Sequence, residues 1–341
     1  MAAPGESGGH GNGGARRKNV TAAVRLFLVC MVSGGIQYIS ALEMSLLSPY
    51  SQNLGIPHKY ASMIWIGGPI AGFLMSIFMC SHLSTCVLCP LYLMRKMCVL
   101  FLFFSTYTGP RWAATAVYVV GFLLLDCVIH TAQASVRALM SDLSAANYGP
   151  NVGQAIFTVW MAIGSILGYT AVAYGTWHRW FPSLKTSACC EACADLKGAF
   201  LTAVVLIIIC TVVTMLLADE QSLDGEDVGT SSSSAQTCGG LKAFTDLFTS
   251  LKNMSPAMFR VLALTAVTWL SWFPFLQYNT DWMGREIYRG NPSGTADMAD
   301  DKYNAVVREG AIGLLLCSAS LGAMVFIFSE ISMKFINFSR H

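Results

Sequence analysis

Charge is what this sequence has least of. Asp, Glu, Lys and Arg make up 12% of its 341 residues against 54% apolar, and the mean hydropathy is +0.54. A soluble domain carries about a quarter charged residues. At half that density the chain cannot cover its surface with polar groups, which excludes a soluble globule and leaves most of the exterior to lipid. The net charge of +2 is too small to argue for nucleic acid as a partner. Catalytic motifs are missing as well: there is no phosphate-cradling glycine loop, no G-x-S-x-G elbow and no H-E-x-x-H helix. Nothing in the residues supports an enzyme. Only six histidines occur, and none near the cysteine-rich run ACCEAC completes a four-ligand zinc set. The C-x-x-C at Cys86 and Cys89 sits in an apolar stretch, so no metal or organic cofactor is expected.

What is present is a succession of long apolar runs. About 20 residues at 1.5 Å each cross a hydrocarbon core of about 30 Å, and such runs lie near 22–47, 61–80, 84–108, 113–137, 155–177, 199–218, 256–278 and 309–329. The fold class expected is an all-α membrane protein with about eight transmembrane helices. The Gly-rich stretch 1–21 reads as a disordered cytosolic tail. It is not a secretory signal, since the first apolar run is too long and lacks a cleavage pattern. Arg16, Arg17, Lys18 and Arg25 precede the first span and favour a cytosolic N-terminus; alternation from there places 12 of the 21 Lys and Arg inside. The polar run from Ala218 to Ser250 is the one long hydrophilic interior stretch. The chain therefore divides into a six-helix bundle over 22–218, a cytosolic linker over 219–255 and a two-span segment over 256–341.

The few intramembrane charges carry the functional reading. From Pro110 on, the chain holds Arg111 and then nothing charged until Asp126, at mid-span in GFLLLDCVIHTAQASVRALMSDL. A charged group there costs at least about 2.5–3.5 kcal/mol on insertion scales, so it normally faces a bundle interior or a water-filled cavity. Asp126 is either a proton carrier or a neutral, hydrogen-bonded packing acid. Arg137 follows eleven residues later, close to three turns on, sharing a face roughly 16 Å away along the axis. It either works toward the cytosolic end of the same cavity or snorkels to the interface. Glu43, nearer the outer end of the first span, is either a substrate-binding group or a helix-packing acid. His58, in the outer loop before the second span, is either an entrance residue or simply solvated. Asp281, with Arg285 and Glu286 in NTDWMGREIY, sits where the seventh span leaves the membrane, and the three read as surface partners worth little. Cys189, Cys190 and Cys193 fall in a predicted outer loop, where an oxidising exterior allows a Cys189–Cys193 or Cys190–Cys193 disulfide.

Several of these stretches together resemble the plant sucrose–proton symporters of the major facilitator superfamily. They are Gly34 to Gly72, the Asp126…Arg137 span with RALMSDL, VWMAIGSILGYTAVAYGTWHRWFPSLKTSACCEACADLKGAF, and TWLSWFPFLQYNTDWMGREIYRGNP with REGAIGLLL. The resemblance implies a twelve-helix major facilitator-type bundle that moves sucrose or a related glucoside inward with a proton by alternating access. It implies a proton role for Asp126, a substrate role for Arg137 and a place near the substrate path for His58, in the plasma membrane rather than the vacuolar one. The proton is the coupling ion and the bilayer the surrounding partner. The chain departs from the family where its basic loop gives way to CSHLSTCVLCPLYLMRKMC, where Ile129 and His130 replace Asn-Asn, at Asn279 and at Glu43. With two spans after the linker, the second bundle is expected to be incomplete. The contrasting expectation is a truncated, non-transporting membrane protein that associates with full-length relatives as a homo- or hetero-oligomer, or senses sugar.

Overall fold

The structure, a computed structural model, describes residues 23–53, 111–145, 150–184, 191–217, 248–289 and 299–338, with positions 56, 60, 64, 66–68, 70, 72, 96 and 245 between them. Its long helices are α1 Met31–Asn53, α2 Arg111–Ala145, α3 Pro150–Tyr174, α5 Glu191–Leu217, α6 Pro256–Trp282 and α7 Ala299–Phe338. A short α4 at Trp177–Trp180 and a 3-10 turn at Pro182–Leu184 lead into α5, and a π-helical turn at Met283–Ile287 closes α6. Among the described residues, six helices are long and apolar enough to cross a membrane: Ala23–Leu46, Thr115–Ser141, Val152–Tyr174, Ala194–Leu217, Pro256–Ile287 and Ala305–Met324. They fall on six of the eight expected runs; those at 61–80 and 84–108 lie almost wholly outside the described residues. Helical turns at 248–252 occupy the end of the stretch read as a linker.

The bundle is organised by α1. Lipid tails are as apolar as leucine, so helices associate in a membrane through close packing and hydrogen bonds. α3 supplies a G-x-x-x-G face, Gly164 to Gly168, and a Cβ at Gly164 would stand 2.2 Å from the Gly34 carbonyl oxygen. One at Gly168 would stand 2.7 Å from the Ala41 Cβ. Hydrogen bonds add to this: Trp160 Nε1 donates to the Phe27 carbonyl at 2.8 Å, Thr214 Oγ1 to that of Val29 at 3.3 Å, and Tyr38 shares a hydroxyl bond with Thr202 at 2.7 Å. Val32, Ile36, Ile39 and Leu42 are fully buried as a result.

Pro49 inside α1 has no N–H to offer the Ser45 carbonyl. Thr280 Oγ1 of α6 donates to that carbonyl instead, at 3.4 Å, which ties the end of α6 to the end of α1. Asn279 Nδ2 in turn donates to the Gly310 carbonyl of α7 at 3.2 Å. Ser255 caps α6, accepting from the Met258 amide, with Pro256 in the first turn where its missing N–H costs nothing.

The ends of the helices sort into two faces. Arg25 donates to the Leu217 carbonyl and Cys30 Sγ lies 3.0 Å from Met140 Sδ, so the start of the first span, the end of α2 and the end of α5 share one face. This is the side that the Lys and Arg bias of the sequence reads as cytosolic, and the opposite one as outer. α4, the start of α5 and the start of α7 share the other.

Candidate functional site

α2 carries the central acid. Asp126 is 7% exposed and directed into the bundle rather than at lipid. Its Oδ2 has no hydrogen-bond partner among the described residues. A Cβ at Gly68 would meet that oxygen at 2.7 Å, so only glycine there leaves room for the carboxyl group. Its Oδ1 lies 3.5 Å from His130 Nε2, one turn further along α2. The His130 side chain is 43% exposed and that of Asp126 only 10%, so the histidine connects a sequestered acid to an accessible surface. Helical spacing at i and i+4 was the signal for this pair.

Glu43 faces Asp126 across the bundle from α1. It is 5% exposed, its Oε1 has no hydrogen-bond partner among the described residues, and the two carboxylates are within electrostatic range of each other. Glu43 also borders a cavity of about 10 Å³ together with Tyr118, Phe122 and Leu125 of α2 and Phe200 of α5. That is about the space of one water molecule. The Tyr118 ring meets that of Tyr50 at 5.1 Å and 51°, a tilted contact between α2 and α1.

Arg137 is exposed and does not share this pocket. Its guanidinium lies over the Phe157 ring at 4.7 Å and its Nη2 is 3.9 Å from Met161 Sδ, both on α3. The two residues share a face of α2, as the spacing predicts, but the long arginine stem reaches sideways to a neighbouring helix while Asp126 meets Gly68. A cation over an aromatic face satisfies the guanidinium without a carboxylate.

Asp281 corrects an expectation. It is 2% exposed, not a surface residue, and its Oδ1 accepts from Arg285 Nε at 3.2 Å. The reason is local: α6 touches α1 and α7 over its last turns, where Gln277 and Thr280 are also buried, and Asp281 falls on that contact face. Glu286 stays exposed. Cys193 is a second correction, because α5 starts at Glu191 and places it in a helical turn rather than in a loop. Cys189, Cys190 and His58 lie outside the described residues.

A polar cluster that sequence reading missed lies on the outer face. Asp195 Oδ1 accepts from the His178 amide at 2.9 Å and is 2.9 Å from its Nδ1; Asp195 Oδ2 is 3.8 Å from Arg308 Nη2. Gly175, at φ +50°, turns the chain beneath the Arg308 guanidinium, where a Cβ would stand 2.2 Å from Nε. The cluster joins α4 and α5 to α7. Its members lie far apart in the chain, and only Asp195 and Lys197, two charges opening an apolar run, hinted at it.

Six apolar spans among the described residues, packed around two buried interior carboxylates, define an integral multi-pass membrane protein of the major facilitator helical-bundle type. No family model matches the chain. Among curated proteins it is 54% identical over 335 residues to sucrose transport protein SUT5 of Oryza sativa subsp. indica, covering 91% of this chain and 62% of that one. It is 42% identical over 351 residues to sucrose transport protein SUT3 of Oryza sativa subsp. japonica, covering 96% and 68%, and 43% identical over 341 residues to SUT1 of the same subspecies, covering 91% and 62%. The chain belongs to the plant sucrose transport protein family, and it spans about three fifths of the length of SUT5 and SUT1.

Proposed function

We propose that this chain moves sucrose or a related glucoside across a membrane together with a proton, by alternating access, with Asp126 as the proton carrier. The observation that carries the reading is the state of Asp126: a mid-span carboxyl group turned into the bundle, one oxygen unpaired, the other against a half-exposed histidine. A structural packing acid would have both oxygens satisfied. Glu43, bordering the cavity with Tyr118, is suited to accept from a sugar hydroxyl. Arg137 and His58 are assigned to the substrate path from the resemblance, and Asp281 is assigned to substrate binding as a buried acid of α6. The relatives' names support the sugar, and the plasma membrane is the assigned site.

Carboxylates hold sugar hydroxyls more tightly in a dry cavity than in water, because bulk solvent no longer competes. Proton exchange at Asp126 would then set whether that cavity holds a negative charge. Uptake of labelled sucrose into vesicles containing this chain tests the proposal. Accumulation should rise when the outside is acidified and be lost in Asp126→Asn; uptake that ignores the proton gradient would refute it.

A further inference from the structure

We propose that His130 is the group through which Asp126 passes its proton toward the cytosolic side. This rests on the reading of Asp126 as the proton carrier and adds the route. Three observations converge on it. His130 Nε2 is 3.5 Å from Asp126 Oδ1, close enough for transfer after a small rotation of the ring. Its side chain is 43% exposed, against 10% for Asp126, so it is the member of the pair that opens out of the packed interior. And it stands one turn closer than Asp126 to the end of α2 that Met140 and Cys30 place on the cytosolic face.

The surroundings hold no competing acceptor at that distance among the described residues. The facing segment, IWIGGPIAG over 64–72, has no charged residue, and a Cβ at Gly72 would stand 2.8 Å from His130 Cδ2, so glycine gives the ring its place. α3 has no Asp, Glu, Lys or Arg. Glu43 of α1 approaches from the Asp126 side, Lys197 of α5 and Asp281 of α6 lie toward the outer half, and Arg137 is held over Phe157 two turns further on.

The step balances with a single proton. The O–H bond of the protonated Asp126 breaks as an N–H bond forms on neutral His130, leaving a carboxylate and an imidazolium. The imidazolium then gives its proton to cytosolic water and returns to the neutral form. An imidazole can accept a proton on a ring nitrogen and give it up again, which a relay requires. Arg137 cannot do this, since a guanidinium does not release protons.

The test follows the infrared carbonyl band of the protonated carboxyl group in the purified full chain after a jump to alkaline pH, with Asp126→Asn identifying the band. His130→Asn and His130→Gln keep a polar side chain without a titratable ring, and circular dichroism establishes that each is folded. Deprotonation slowed about 100-fold in both variants is the expected result, the low end of what a positioned base contributes. In vesicles, proton-driven uptake should be slower in both variants than in the unchanged chain. An unchanged rate in either folded variant overturns the proposal while leaving Asp126 as proton carrier. A band that persists in Asp126→Asn overturns the carrier reading itself, and the His130 route with it.

Discussion

The first span and the seventh are nearly equal in hydropathy, yet 72% of the most apolar 18-residue window of one is buried inside the bundle and none of that window of the other. What separates them is side-chain size. α1 brings Ser33, Gly34, Gly35, Ala41 and Ser45 to its contacts and lets neighbouring backbones approach. α6 presents Phe259, Leu262, Leu264, Val267, Trp269, Leu270 and Trp272 outward, each a large exposed side chain. Hydropathy reports that a helix suits the membrane; small residues and stray polar groups report which part of it meets protein. α6 obeys the same rule at its far end, where Gln277, Thr280 and Asp281 are buried against α1 and α7.

Four changes would break or sharpen that contrast. The largest effect is expected of Asp126→Asn, which keeps the shape of the side chain and removes its proton exchange; acid-driven uptake should fall about 100-fold or more while the protein stays folded. Full coupling in that variant would leave the buried acid of the first bundle without a role. Next is Gly164→Leu in α3, whose added atoms collide with the Gly34 backbone. It should destabilise the bundle by about 3 kcal/mol in thermal unfolding of the detergent-solubilised protein, and wild-type stability would show that the α1–α3 crossing is not held by close approach.

A smaller effect is expected of Asp195→Asn, which weakens the outer link between α5 and α7. Because Arg308 is more than a third exposed, the loss is set at about 1 kcal/mol. Hydrogen exchange in the first turns of α7 should quicken about fivefold, and an unchanged rate would place the α7 attachment elsewhere, at Asn279 and Gly310. Smallest is Leu264→Ala in α6, expected to shift stability by no more than about 0.5 kcal/mol. A larger loss would mean that some other chain or segment packs on that face, and the comparison with α1 would then be one of partners rather than of lipid.

The spans were legible because hydropathy is additive along a helix. The runs at 155–177 and 199–218 meet the helices Val152–Tyr174 and Ala194–Leu217 within a few residues. Where they differ, a local device is responsible: Gly175 turns the chain before Trp177 can extend α3, and α5 begins early enough to take in Cys193. The acid at Asp126 was legible as an interior group because its cost in lipid admits few other places. The Asp195–His178–Arg308 cluster was not, because it joins residues 130 positions apart. Nor was the burial of Asp281, which depends on which turn of α6 meets α1.

The amino-acid order by itself determined that this is a helical membrane protein, where the described helices run, and that a carboxylate at position 126 must face inward, since each follows from the transfer of short segments between water and hydrocarbon. Tertiary structure alone decided that Gly68 would clear space for that carboxylate, that His130 would stand beside it, that Arg137 would turn to Phe157, and that α6 would touch the other described helices near its far end. These depend on how helices cross, and crossing is set by steric fit between surfaces distant in sequence, which no local property encodes.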